Sequence, residues 1–127
     1  KNYKIDTFFE AIIDEYQEVT QNNKYANNYD YNKAVYLMGS NQLLDNGFLL
    51  LKEETSFNSP VGVLNYEYYS SLDQLSVSLN EVKDELQCVV SSKNTPLETL
   101  RFGEAQCPNL KDFADGIDTI QFVLDLE

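Results

Sequence analysis

The chain has no histidine and only two cysteines, Cys88 and Cys107, in 127 residues. Without an imidazole there is no His-containing zinc set and no Cys–His dyad, and two cysteines are too few for a disulfide framework. Free thiols in a reducing compartment are the expectation. Glycine and proline are sparse as well, at five and three. None of the glycines stands in GxGxxG or P-loop spacing, so neither kind of phosphate cradle is present. No apolar run approaches the roughly 18 residues of a membrane-spanning helix, and neither a span nor a secretory leader is expected, which makes the cytoplasm the expected setting. Basic residues are few: nine against 21 acidic ones give a net charge of −12. Such a chain repels polyanions, which argues against nucleic acid as a partner.

A hydrophobic fraction of 43% and this length suit one domain, residues 1–127, with a moderate core. Asp6 is placed to cap a helix to about Val19, with Phe8, Phe9, Ile12, Ile13 and Tyr16 at helical spacing. Tyr31, Ala34, Val35 and Met38 predict a second helix from about Asn28. Asn46-Gly47 marks a turn, and the apolar run Phe48 to Lys52 reads as a strand inside a sheet. Val61 to Tyr69 reads as another buried strand. Ser71 with Gln74 forms a capping box before the stripe Leu72, Leu75, Leu79, Val82 and Leu86, and Leu86 to Ser91 returns as a strand with Cys88 in the core. Together these predict a parallel βαβ unit. Beyond the long loop from Ser92, Asn109 is placed to cap a short helix through Phe113 that Gly116 breaks, and Asp118 a last one with Ile120, Val123 and Leu124 inward.

Four stretches carry a family resemblance: NKYANNYDYNKAVY (Asn23 to Tyr36), LDNGFLLLKE (Leu44 to Glu53), SPVGVLNYEY (Ser59 to Tyr68) and LRFGEAQCPNLKDFADGIDTIQFVL (Leu100 to Leu124). In this order they resemble the C-terminal part of the long-chain acyl-CoA reductases, the bioluminescence-type fatty acid reductases of the aldehyde dehydrogenase superfamily. The resemblance implies an α/β fold, the C-terminal portion of an aldehyde dehydrogenase-like catalytic domain with a mostly parallel sheet flanked by helices. It implies an acyl-CoA substrate and NADPH, the cofactor being bound mainly by sequence outside this chain, and a homo-oligomer. The nucleophilic cysteine and the general-base glutamate of such an enzyme are expected before Lys1. The remainder of the polypeptide is then a partner, and the chain alone is expected to be inactive. Surfaces of Phe48 to Lys52 and Val61 to Tyr69 that would meet that remainder are expected to be exposed and to self-associate.

Reduction of a thioester to an aldehyde needs a thiolate, a polar pocket for the thioester oxygen and a hydride donor. By resemblance, Glu53 and Glu54 correspond to the Glu-Glu element whose glutamate binds the nicotinamide ribose, with a longer loop to Pro60. Arg101, Phe102 and Gly103 correspond to the late loop at the substrate entrance, with Glu104 in place of its second glycine. Arg101 is the single arginine and could clamp an anion, although a salt bridge to one of the acids is the simpler fate. Cys107 is a rival nucleophile with an acidic neighbour, Glu104, and no histidine to activate it. The tyrosines could line an acyl channel but suit half-buried packing better. Asp112, Asp115 and Asp118 lack the spacing of a calcium loop and read as caps, so no metal is expected. The competing function is an acidic protein-interaction module that performs no chemistry.

Overall fold

The computed structural model describes residues 3–92, 95–110, 112–113 and 117–126. The chain divides into two compact units, Lys1–Tyr68 and Tyr69–Glu127.

In the first unit, α1 (Ile5–Tyr16) turns Phe8, Phe9 and Ile12 inward while Ile13 and Tyr16 remain exposed. Asp6 lies in its first turn, where a negative charge is favoured, but Lys4 holds the cap position and its side chain makes no bond. The chain then tightens into a 3₁₀ turn, Gln17–Gln21. Asn22 caps α2 (Asn23–Met38), its Oδ1 accepting the Lys24 and Tyr25 N–H groups at 3.0 and 3.2 Å. This cap is why α2 begins earlier than the expected Asn28.

The buried face of α2 is also not the expected one. Tyr31 is 67% exposed and Met38 86%, whereas Tyr25, Tyr29, Asn32 and Tyr36 face inward. These four share helical spacing too, and each of the three large rings brings more apolar area than Ala34 or Val35. Their polar tips find partners. The Tyr25 hydroxyl donates to the Phe48 carbonyl at 2.9 Å and the Tyr29 hydroxyl to Asp45 Oδ1 at 2.6 Å. Asn32 Nδ2 donates to the carbonyls of Asn28 and Val61 at 2.8 and 3.1 Å. Satisfaction of this kind offsets the cost of burying a polar group.

The sheet has the order β1 (Leu43–Asp45), β2 (Leu50–Glu53), β3 (Val63–Tyr66). β1 and β2 form an antiparallel hairpin whose turn is built by side chains: Asp45 Oδ1 accepts the Gly47 N–H at 2.8 Å and Asn46 Oδ1 the Leu49 N–H at 2.9 Å. β2 and β3 are parallel, with Leu51 opposite Leu64. The connection from Glu54 to Gly62 contains no helix, and Asn65 holds it by donating to the carbonyls of Ser56 and Asn58 at 2.8 and 3.2 Å. β2 is the central strand, with Leu50 fully buried and Leu51 at 3% exposure. The buried apolar residues among those described, Tyr29, Phe48, Leu50, Leu51 and Val63, all belong to this unit.

This architecture corrects the expected fold. The sheet is small and mixed, one antiparallel and one parallel pairing, in place of the mostly parallel sheet of an aldehyde dehydrogenase-like domain. The predicted strand from Leu86 to Ser91 does not join it. Its backbone is met within its own unit by Leu100: a single parallel bridge at Val90, with the Leu100 N–H donating to Val89 and the Ser91 N–H to Leu100, each at 2.9 Å. Cys88 is exposed there, outside any core. The expected exposed face of Phe48 to Lys52 is likewise corrected, since Phe48, Leu50 and Leu51 are buried, Leu50 against Tyr29 of α2 and Val63 of β3, while Val61, Leu64 and Tyr68 are exposed.

In the second unit, α3 (Leu72–Glu81) is capped by Ser71, whose Oγ accepts the Gln74 N–H at 3.2 Å, and ends before Val82 and Leu86 can extend its stripe. Asn109 and Asp112 close a turn, the Asn109 N–H donating to Asp112 Oδ2 at 2.6 Å; Gly116 lies outside the described residues. Asp118 caps α4 (Thr119–Leu124) as its sequence suggests, but Ile120, Val123 and Leu124 point to solvent and not inward. Among the described residues no helix is long and apolar enough to cross a membrane.

Two substitutions test this core. Gly62 has φ +82°, and a Cβ there would stand 3.1 Å from Cα and Cβ of Tyr29, so Gly62→Ala is expected to destabilise by about 1–3 kcal/mol in urea unfolding. Tyr29→Phe keeps the ring and removes its bond to Asp45, with an expected loss of roughly 1–2 kcal/mol.

Candidate functional site

The C-terminal end of β2 opens onto a polar cleft of about 580 Å³. Lys52, Glu53, Glu54 and Thr55 form one wall, Asn41 and Gln42 precede β1 on another, and Glu67 and Tyr68 follow β3. Period two of the strand puts Lys52 and Glu54 on one side and Glu53 on the other. Lys52 Nζ is 3.0 Å from Glu54 Oε2 and 4.9 Å from the Tyr36 ring centroid, so α2 supports the ion pair from behind. The remaining oxygen of Glu54, Oε1, accepts the Thr55 N–H at 3.0 Å. The Lys52 ammonium, and secondarily that backbone donor, hold the Glu54 carboxyl below the ordinary glutamate range.

Both Glu54 oxygens are therefore engaged, whereas the carboxylates of Glu53 and Glu67 accept no hydrogen bond among the described residues. Glu53 stands opposite Tyr66 in the β2–β3 register. Burial pushes the Tyr66 hydroxyl up, and the charge of Glu53 adds to the shift. Tyr66 and Tyr68 meet edge to face with centroids 5.7 Å apart. Three glutamates against one lysine make the lining net negative. Such a cleft disfavours phosphate and offers acceptors to hydroxyl groups.

Tyr29, Asp45 and Lys33 form a second titratable group beneath the hairpin, with Lys33 Nζ 2.6 Å from Asp45 Oδ2. Burial, then the hydrogen bond to Asp45, pushes the Tyr29 hydroxyl up to about 12. Burial also raises Asp45, but the bonds from Lys33, Tyr29 and the Gly47 N–H outweigh it, and the carboxyl lies below its usual value. A tyrosine held protonated in this way is a structural clamp, not an acid for catalysis.

Arg101, Phe102 and Gly103 belong to the second unit and lie in an exposed turn. The Arg101 N–H donates to Glu104 Oε2 at 3.1 Å, while the ion pairs among the described residues are made by Lys33 and Lys52, so the expected salt bridge of Arg101 does not form there. Gly103 has φ +88° with open space around it. Its carbonyl is 3.6 Å from Cys107 Sγ, an exposed thiol with no basic partner among the described residues. Phe102 reaches a separate apolar groove of about 270 Å³ within its unit, which Arg101 and Gly103 do not line. No set of three His, Cys, Asp or Glu side chains that could hold a metal ion occurs among the described residues. Asp112 and Asp118 are taken up by backbone N–H groups, and Asp115 lies outside the described residues.

No protein-family model, curated protein or solved structure matches the chain.

The role of Lys52 and the cleft positions of Asn41, Gln42, Glu67 and Tyr68 were not anticipated from sequence. The i, i+2 spacing of Lys52 and Glu54 in a strand was the available signal for the pair, while no local pattern marks residues brought in from three different segments. The pair has a measurable signature. Glu54 is expected to titrate below the ordinary glutamate value of 4.5 in carboxyl NMR, and Lys52→Met should raise its midpoint. Because the folded value is depressed, the stabilisation is present above that ordinary value and lost as pH falls through the folded one.

Proposed function

We propose that the chain is the C-terminal part of an acyl-CoA reductase that reduces a fatty acyl-CoA thioester to the aldehyde with NADPH, through an acyl-cysteine intermediate whose nucleophile precedes Lys1, in the cytoplasm. The observation that carries this reading is the unbonded carboxylate of Glu53 on the wall of a polar cleft. It is one of the two residues at which the resemblance puts the ribose-binding glutamate. The other, Glu54, is held away from a ligand by Lys52 and Thr55. An acceptor-rich, net-negative lining fits ribose hydroxyl groups and is unsuited to the cofactor's phosphates. That agrees with phosphate binding by sequence outside these residues. The reading draws on the order of the resembling segments and on this cleft, and takes no support from the sheet topology.

When bound, NADPH would supply the hydride; the work left to this chain is to accept a ribose hydroxyl at Glu53, while Lys52 and Thr55 keep the adjacent Glu54 occupied. Binding by such a contact is shared by ground and transition states, so its loss raises KM and leaves kcat nearly unchanged.

The exposed apolar residues of the second unit, Phe102, Ile120 and Leu124 among them, favour a second reading, an acidic interaction module without chemistry. Intact mass of the whole polypeptide after incubation with a long-chain acyl-CoA, without NADPH, separates the two. An acyl thioester on a cysteine before Lys1 is expected, together with a roughly tenfold rise in KM for NADPH in Glu53→Gln, the equivalent of about 1.4 kcal/mol. An adduct on Cys107, or none at all, would overturn the proposal.

A further inference from the structure

Of the chain's asparagines only Asn46 stands before a glycine. That order is the least hindered for an intramolecular reaction of the amide, in which the backbone nitrogen of the following residue attacks Cγ with no side chain in the way. The bond from Cγ to Nδ2 breaks, the proton of the attacking N–H leaves with the amine as ammonia, and a five-membered imide remains. Water then opens the imide at Cγ to give aspartate, or at the backbone carbonyl to give isoaspartate, whose main chain is longer by one methylene. Water is the co-reactant, and nothing is oxidised or reduced.

The β1–β2 hairpin holds each atom of that reaction. The attacking nitrogen, that of Gly47, donates its hydrogen to Asp45 Oδ1 at 2.8 Å. The amide oxygen, Asn46 Oδ1, accepts the N–H groups of Phe48 and Leu49 at 3.2 and 2.9 Å. The leaving nitrogen, Asn46 Nδ2, is buried and has no hydrogen-bond partner among the described residues. Asp45 is itself clamped, by the Tyr29 hydroxyl and by Lys33, each at 2.6 Å. The imide nitrogen carries no hydrogen, so ring closure breaks the Gly47 bond to Asp45, and it rotates Cγ out of the position in which Oδ1 meets its two donors.

From this geometry we infer that Asn46 is a modification site gated by the hairpin: it stays an amide while the turn is closed, is hydrolysed when the turn opens, and its product keeps the native turn from closing again. Aspartate puts a charged oxygen in the buried place of Nδ2, one residue from the Asp45 carboxylate, where desolvation and repulsion both oppose it. Isoaspartate lengthens the main chain between Asp45 and Gly47 and so displaces the β1–β2 register. Opening of the hairpin is thereby recorded as a one-way covalent change. The inference rests on the first unit and is independent of the reductase reading.

Peptide mapping that separates asparagine, aspartate and isoaspartate at Asn46 reads the reaction directly. A peptide of residues 43–50, too short to hold a stable hairpin in water, gives the rate of the open sequence in the same neutral buffer. A site that reacts through the open turn alone proceeds at that rate multiplied by the open fraction, so the folded chain is expected to react at least roughly tenfold more slowly. Tyr29→Phe releases one clamp on Asp45 and should speed the reaction of the folded chain by about fivefold or more. The Asn46→Asp variant, made directly, should unfold at a lower urea concentration than wild type. A folded chain that reacts as fast as the peptide or faster overturns the inference. So does a Tyr29→Phe rate equal to that of wild type, or an Asn46→Asp variant with an unchanged urea midpoint.

Discussion

Tyr29 is the residue through which the first unit is held together. Its ring packs with Leu50 of the central strand and Val63 of β3, its hydroxyl is bonded to Asp45 at the hairpin turn, and it lies so close to Gly62, itself at φ +82°, that a Cβ there would be crowded at 3.1 Å. One aromatic residue thus ties α2 to all three strands. The arrangement demands a glycine at Gly62 and a charged partner at Asp45, and the Asp45 carboxylate in turn closes the turn onto Gly47 and draws in Lys33. Burial of a phenol is favourable only when the hydroxyl is satisfied, and here the acceptor also organises the backbone.

The polar cleft depends on that core. Once Tyr29 sets the rotation of α2, Tyr36 comes to lie seven residues further on the same face, beneath Lys52. Lys52 then occupies Glu54, and of the two adjacent glutamates Glu53 is left unbonded at the opening, which Glu67 also lines. The distinction between two adjacent glutamates follows from the alternation of a strand together with the position of one helix. Neither cause is sufficient by itself.

Much of the element order was legible from local signals. The Asn46-Gly47 turn, the Ser71 and Asp118 caps and the central position of the strand containing Leu50 and Leu51 are all present. Caps and turns are short-range hydrogen bonds between a side chain and the backbone a few residues away, so sequence spacing determines them directly. The inward face of α2 is not legible locally because two faces carry helical periodicity, and the aliphatic set Ala34, Val35 and Met38 looks more core-like than a set of tyrosines with an asparagine. What decided between them was the presence of acceptors at Asp45, Phe48 and Val61, which local pattern does not reveal. The strand expected over Leu86 to Ser91 is reduced to one bridge with Leu100, because an apolar run with strand character does not by itself specify the backbone it pairs with.

Composition alone settled the charge of −12 and the absence of any histidine-based site, because these are sums over residues and do not depend on where the chain places them. Spacing settled the Ser71 and Asp118 caps and the Asn46-Gly47 turn. Tertiary structure alone decided that the sheet is mixed, that Glu53 rather than Glu54 carries the unbonded carboxylate, and that the apolar residues of α4 face solvent. Strand pairing, ion-pair choice and burial are contests between distant segments for the same partners, and the free energy of each outcome is set by which competitors the fold brings within reach.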